Sequence, residues 1–338
     1  MRIAAPLSRV DEVELLASAG ADELYCGVLS SDWEGRFGIL TANRRVYGNL
    51  SSLEELARVV EGAHSLGKAV SLTLNAQHYS TEQCEYILGF AHSLEEMELD
   101  AVIVSDVGLL ARLSREQLNF RIHVSSLASC QNGAAASFLE ELGAARVILP
   151  RHVRLSEIAR MASRASSLEM EVFILNDGCV FEEGACHTLH LPPQMGGPLC
   201  LDRYVFEYVR ADGRAAESGE RSLVEAHEQA YRSWLWFNFG CGFGATDEGL
   251  PYGPCGLCAI PFLMRAGVTA VKVVGREANT QRKLRSVQMV RAVIERSALV
   301  GEDDVKAFAQ GLRKKPEYCR SGYMCYYRDV LASGGGRM

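Results

Sequence analysis

The sequence contains no run of about 18 apolar residues, so it offers no candidate membrane span. Its opening, MRIAAPLSRVDEVELL, lacks the basic segment, apolar segment and cleavage site of a secretory leader. These two absences predict a cytoplasmic protein. No GxGxxG follows the first apolar run, which removes support for a dinucleotide-binding Rossmann unit. Neither GxSxG nor HExxH occurs, and His227 in EAHEQ is isolated, so the usual serine- and zinc-hydrolase machinery is missing. The Cys186-His187 pair is a poor substitute, because adjacent residues rarely present both side chains to one site. An excess of positive charge is absent too. With 35 Lys and Arg against 42 Asp and Glu, the formal charge is -7, so only a local basic patch would attract a polyanion.

What is present is apolar and periodic. Hydrophobic residues make up 48% of the 338 residues and charged residues 23%, enough to bury a large core and unlike a disordered chain. Short apolar or β-branched runs predict strands at Ile3–Leu7, Glu23–Val28, Ala69–Asn75, Ala101–Ser105, Arg121–Ser126, Arg146–Pro150, Glu171–Asn176 and Ala270–Gly275. Helical patterns lie between them, at Val10–Ala19, Leu53–Leu66, Thr81–Met97, Gly108–Leu113, Ala134–Leu142, Leu155–Ala165, Ala259–Ala266 and Thr280–Ser297. Helices repeatedly end in glycine and re-enter a strand, as in SLGKAVSLTLN and RAGVTAVKVVG, which is the usual αβ loop chemistry. Strict alternation implies a parallel sheet, and eight units favour an α/β fold of the (β/α)8 TIM-like barrel type.

The reading divides the chain into a barrel over 1–300, interrupted by a cysteine-rich insertion at 177–257 after the seventh strand, and a C-terminal extension at 301–338. The insertion carries a Pro/Gly turn (Pro192–Pro198), a hairpin around Tyr204–Ala215 and the aromatic stretch Trp234–Phe239, which would suit either a partner surface or the insertion's own core. A polar loop is predicted over Ser30–Asn49. The chain ends in a glycine-rich tail, with PEYCRSGYMCYY expected to pack on something before it.

There are 11 cysteines. In a reducing compartment they are thiols or metal ligands rather than structural disulfides. Cys26, Cys84 and Cys130 sit where a small buried thiol is the ordinary reading. Cys179, Cys186, Cys200, Cys241, Cys255 and Cys258 instead lie in turn-rich, glycine-rich sequence in or beside the insertion. Four thiolates suit tetrahedral zinc or a [4Fe–4S] cluster. Only Cys255–Cys258 has the short spacing of a zinc knuckle, which makes zinc the weaker choice. A redox dithiol at the same CxxC lacks a thioredoxin-like setting.

Strand C-termini of a barrel surround the active-site mouth. That nominates Tyr25, Asn75, His123, Ser125, Arg151, Asn176, Lys272 and Arg276, with Tyr25, Asn75, His123, Lys272 and Arg276 as the catalytic candidates. For His123 the alternative is a satisfied core histidine, for Asn75 a loop cap, and for Lys272 and Arg276 a pair of structural salt bridges. Arg276, Arg282, Lys283, Arg285 and Arg291 form a basic stretch that could meet RNA phosphates, although a solvated helix face is commoner.

The segment Glu171-Val-Phe-Ile-Leu-Asn-Asp-Gly-Cys179, continuing to Gly184-Ala-Cys186, resembles the signature of the collagenase-like protease family, peptidase family U32. AAPLSRVDEVELLASAGADELYCGV, HVSSLASCQNGAAASFLEELGAARVILPRHVRLSEI and AGVTAVKVVGRE are similar to other barrel units of that family. The resemblance implies a [4Fe–4S] cluster on Cys179, Cys186, Cys200 and Cys255, with Cys258 and Cys241 as alternates. It also implies oxygen-independent hydroxylation of a small aromatic molecule or an RNA base, with prephenate as oxygen donor. The family label offers a peptidase as the alternative. A non-catalytic iron–sulfur subunit that binds a protein partner, or a homo-oligomer, is the third reading. One departure stands out: Val274 occupies the place where the family carries an acidic residue before Gly-Arg, leaving Glu277 as the nearest carboxylate.

Overall fold

The computed structural model describes residues 1–38, 42–164, 167–179, 182–186, 207–235, 245–322 and 324–332. Eight strands pair in parallel and in chain order to close a barrel: β1 (Arg2–Pro6), β2 (Glu23–Cys26), β3 (Ala69–Leu74), β4 (Ala101–Val104), β5 (Arg121–Val124), β6 (Arg146–Ile148), β7 (Glu169–Leu175) and β8 (Ala270–Val273). β8 returns to β1 with Ala4 opposite Lys272. The (β/α)8 barrel predicted from the alternation is the fold.

Period-two alternation sorts the strand side chains. Ile3, Leu24, Val70, Val102, Val147, Val172 and Val271 are buried with the helices in one large apolar cluster outside the barrel wall. Each fully buried aliphatic side chain of this kind contributes roughly 1.5–3 kcal/mol. The intervening residues Ala4, Tyr25, Ile103, Ile148 and Phe173 meet in a second cluster that fills the lumen.

The outer helices that follow the strands start with the caps their sequences provide. Ser52, Ser80, Asp106, Asn132 and Asn279 accept first-turn N–H groups of α3 (Leu53–Ser65), α4 (Thr81–Glu96), α5 (Val107–Arg115), α6 (Gly133–Glu141) and α10 (Thr280–Ser297). Ser80 and Gln83 complete a capping box. α1 (Val13–Ser18), α7 (Leu155–Arg164) and α9 (Ile260–Arg265) fill the remaining predicted places. Gly67 and Gly267 take φ of +66° and +85° at helix ends where an added Cβ would meet nothing, so the backbone sign alone calls for glycine.

Four differences from the sequence reading have physical causes. β7 starts at Glu169, two residues early, because Glu169 and Glu171 both turn inward onto an arginine instead of ending the strand. α2 (Ser31–Phe37) lies inside the predicted polar loop. Ser30 caps it, and buried Trp33 anchors it against Phe37, Tyr79 and Tyr86. Within the insertion, α8 (Ser218–Leu235) is a helix, and the described part of the predicted hairpin, 207–215, contains a turn and no strand. The C-terminal extension is helical through α11 (Glu302–Arg313), α12 (Pro316–Ser321) and α13 (Asp329–Ala332). Pro192–Pro198, Cys200, Cys241, the side chains of Trp234–Phe239 and the last six residues lie outside the described residues.

Candidate active site at the barrel mouth

The lumen below the apolar layer is ionic. Arg146, 1% exposed, donates to Glu23 at 2.5 and 2.8 Å, to Glu171 at 2.8 Å and to Glu169 at 2.9 Å. Lys272 pairs with Glu171 at 2.8 Å and stands 3.8 Å from the centre of the Tyr25 ring. Burial alone would raise the Glu171 carboxyl, but Lys272 and Arg146 outweigh it and hold it down at about 2. The Tyr25 hydroxyl donates to the Val273 carbonyl at 2.9 Å. His123 is 3% exposed, and neither ring nitrogen has a hydrogen-bond partner among the described residues. Burial, helped by Arg146, lowers its pKa to about 3, so the ring is neutral at ordinary pH.

Three of the five catalytic candidates, Tyr25, His123 and Lys272, are therefore buried inside the barrel rather than displayed at its mouth. Their strands each end two residues before the sequence reading placed the ends, and the polar side chains are sealed in the lumen. For Lys272 the salt-bridge alternative is what the structure contains. Asn75 is a loop brace, its Oδ1 accepting from the Arg44 backbone at 3.2 Å. Ser125 accepts from the Leu127 N–H at 3.4 Å and opens a short 3-10 turn.

Arg276 is the fifth candidate, and it does reach the rim. It is 5% exposed and donates to Asn49 at 3.0 Å, Thr73 at 3.0 Å and Asn43 at 2.8 Å. All three acceptors are neutral, and no carboxylate lies within ion-pair distance among the described residues. Burial pulls its pKa below the ordinary arginine value, yet a guanidinium stays protonated. The seat depends on Gly27, where a Cβ would lie 2.0 Å from the Arg276 Nη1 and 2.3 Å from Asn49.

The strand-7 exit carries the backbone strain of this rim. Asn176 and Asp177 are consecutive left-handed residues, with φ of 72° and 45°. Asn176 turns to α10, donating to Ser286 at 2.9 Å. The Asp177 carboxylate sits between Arg45 at 3.3 Å and Arg282 at 3.2 Å, and its carbonyl accepts from Arg151 at 2.9 Å. Arg151 also lies 3.7 Å over the Phe173 ring and pairs with Glu183. This arrangement fixes the two residues that precede Gly178 and Cys179. Cys186 is 5% exposed, and its carbonyl accepts from Gln77 of the β3 loop. Its segment lies on the β5 loop, where a Cβ at Gly184 would meet Ser129 Oγ at 2.0 Å and the Leu127 carbonyl at 2.4 Å. Both signature cysteines thus belong to segments bound to the barrel's C-terminal rim, with Cys179 half-buried. His152, Glu182 and Glu183 bring possible ligand atoms within 4.8 Å of one another here; Arg151 takes Glu183, and Ser129 and the Ala185 N–H take the Glu182 Oε2, while its Oε1 is buried without a partner among the described residues.

The basic stretch after β8 serves the interior. Arg282 and Lys283 are buried on Asp177 and Glu12, and Arg291 pairs with Asp22; of the five residues of that stretch only Arg285 is exposed. A phosphate-binding face is not formed by these side chains.

Cys255 and Cys258 have other neighbours. The Cys255 N–H donates to the Met324 carbonyl at 2.7 Å, Tyr326 donates back to Cys255 at 3.0 Å, and Cys255 and Cys325 are bridged as parallel strand partners. Cys255, Cys258, Cys319 and Cys325 line one cavity. Burial first, then the neighbouring thiols, push Cys258 and Cys325 up to about 12. The sequence reading missed Cys319 and Cys325; the signal was the Cys-x5-Cys of PEYCRSGYMC.

The family follows from comparison. The sequence model of peptidase family U32 matches residues 8–333, and the chain belongs to that family. It is 27% identical over 227 residues to tRNA hydroxylation protein P of Escherichia coli (strain K12), an alignment covering 66% of this chain and 47% of that protein. With the Haemophilus influenzae protein of the same name it shares 26% over 218 residues, 63% of this chain and 44% of the relative. A 23S rRNA 5-hydroxycytidine synthase of Escherichia coli is 29% identical over 140 residues, 41% of this chain and 21% of the relative. The matched region is less than half the length of each of these relatives.

Proposed function

We propose that this chain takes part in hydroxylation of an RNA base at the barrel mouth. The observation that carries the reading is the joining of Cys179 and Cys186 to the rim that Arg276, Arg45 and Arg151 surround, in a family whose relatives are named for RNA hydroxylation. The donor set suits a thiolate-bound cluster. Cys186 is buried, Cys179 is half-buried, and Gly184 lets the segment between them lie against the β5 loop. Cys200 is the third ligand that the resemblance implies. Because Cys255 and Cys258 line a cavity with Cys319 and Cys325, the alternate Cys241 is the better fourth ligand. When bound, a [4Fe–4S] cluster supplies one-electron chemistry without oxygen.

The residues themselves do the positioning. The positive charge of Arg276 is left uncompensated by its three neutral acceptors, which suits a carboxylate such as those of prephenate, the oxygen donor implied by the family resemblance. Asp177 fixes Arg45 and Arg282 on either side of the strained turn, so the rim is set before a substrate arrives.

Nucleoside mass spectrometry of RNA from cells carrying Cys179→Ser in place of the native chain tests the reading. The expected result is loss of one nucleoside that is heavier by a single oxygen than its parent. An unchanged nucleoside profile would overturn it, and cleavage of a peptide library by metal-free protein would return the peptidase reading to first place.

A further inference from the structure

Three separate segments deliver thiols to one place on the far side of β7 from the lumen. Cys255 and Cys258 come from the turn that leads into α9, Cys319 from α12, and Cys325 from the stretch after it. The backbone holds them there: Cys255 pairs with Leu175 on one side and with Cys325 on the other, and Gly256 donates to the Ile174 carbonyl at 2.7 Å. One buried thiol is ordinary filling for a small hole. Four around one cavity are not, since alanine or valine would fill it without a polar group.

A second observation concerns charge. Arg313 is 3% exposed, lines the same cavity and forms no ion pair among the described residues. Its Nη2 donates to the carbonyls of Tyr252 and Gly253 at 3.1 and 3.0 Å, while its Nη1 is buried without a partner among the described residues. An uncompensated buried guanidinium is costly, and four deprotonated thiols around a metal carry the negative charge that would neutralise it. Among the described residues no acidic or histidine side chain lines the cavity. The donor set is all sulfur, which selects soft metals.

Spacing separates the candidates. Around a single zinc with Zn–S near 2.3 Å, tetrahedral sulfurs lie only about 3.8 Å apart. No three of these four sulfurs fall within 4.8 Å of one another. As placed, the thiols do not match a single tetrahedral zinc, whereas a polynuclear core takes its four thiolates on separate metal atoms and needs no such closeness. We propose that Cys255, Cys258, Cys319 and Cys325 hold an iron–sulfur cluster of their own, with Arg313 as its counter-charge, separate from the thiols at the barrel mouth. The assignment does not depend on the RNA reading or on the ligands at the mouth.

Iron and sulfide are to be counted on the full chain purified without oxygen, as wild type, as C319S/C325S and as C179S/C186S. With both centres filled, wild type carries about eight iron atoms per chain, two cubane clusters of four. C319S/C325S should carry half the wild-type iron, and the iron it lacks should be the iron that C179S/C186S retains. If the mouth binds no cluster, C319S/C325S loses all of the iron and C179S/C186S none, which leaves this proposal standing and removes the other. Iron unchanged in C319S/C325S, or a single zinc lost in its place, overturns it. Because the double variant could misfold, native wild type is also alkylated before and after iron chelation, and the modified cysteines are mapped by mass spectrometry. All four should become reactive only after chelation. Equal labelling in both states, or disulfides among the four in the unchelated protein, overturns the proposal as well.

Discussion

Arg146 and Arg276 are the same residue type, both are almost wholly buried, and both belong to the barrel's interior column, yet their partners are opposite. Arg146 meets three carboxylates in the floor of the lumen. Arg276 meets two asparagines and a threonine at the rim. A guanidinium whose charge is cancelled by fixed acids has nothing left to offer a ligand and works as part of the frame. One held by neutral acceptors keeps its field, and the seat around it, including Gly27, is shaped to hold it in place. Burial therefore does not distinguish structure from function in this barrel, and the charge of the partners does.

Removing Arg146 should have the largest effect. Arg146→Met removes the cation shared by Glu23, Glu169 and Glu171, leaving buried Glu171 to Lys272 and Glu23 to Arg2, and should cost about 3–5 kcal/mol, read as the shift of a urea unfolding midpoint. A loss near zero would show that the floor is wetter than its geometry states and would break the comparison.

The next effect is on pH dependence and probes the dryness of the same floor. The His123 pKa is depressed in the fold to about 3 from an ordinary value of 6.5. Between those values the unfolded chain binds a proton that the folded chain refuses, so stability rises with pH across this window and falls as pH drops. The slope approaches about 1.4 kcal/mol per pH unit. Glu171, held at about 2, adds its own loss only as pH falls below about 4.5. Unfolding free energy measured from pH 6.5 down to 4.5 should therefore slope in wild type and flatten in His123→Leu. Parallel curves would show that His123 is protonated in the fold.

Arg276→Met should separate the two arginines. Three hydrogen bonds to neutral groups put its stability cost at about 1–3 kcal/mol, below that of Arg146→Met, while formation of the oxidised nucleoside should be abolished. Equal destabilisation by both variants, or RNA modification that survives, would remove the functional half of the contrast. Smallest of all, Asn75→Ala removes one brace of the β2–β3 rim and should cost about 0.5–1.5 kcal/mol in thermal unfolding, with modification retained at a reduced rate. Complete loss of modification would return Asn75 to the catalytic group.

The strand and helix order was legible because the αβ re-entry glycines, the caps and the apolar runs are local signals. Glu169 misled the reading of β7, since a charged residue inside a strand makes sense only once Arg146 and Arg121 are known to face it. Tyr25, His123 and Lys272 were rightly seen as polar groups on barrel strands. Their depth was not readable, because it depends on where each strand ends and on the closure of the Phe173, Ile148 and Tyr25 layer. The thiols divide in the same way. Cys179 and Cys186 stood out by their glycine-rich turns, and Cys255 and Cys258 by their spacing. Cys319 and Cys325 lie in a segment with no local signal placing it beside β7; the Cys255–Cys325 bridge, the Tyr327 hydrogen bond to the Phe173 carbonyl and the α11–α12 packing bring them there.

Taken alone, the sequence determined the (β/α)8 barrel, the interruption after its seventh strand and the family resemblance, because each is carried by short-range patterns of apolar period, turn residues and motif spacing. The tertiary structure decided which arginine is neutralised, which strand residues are sealed in the lumen and which thiols share a cavity. Those are questions of which distant side chains meet, and in a barrel the meeting is set by closure, when the eighth strand pairs with the first and puts residues from opposite ends of the chain into one interior.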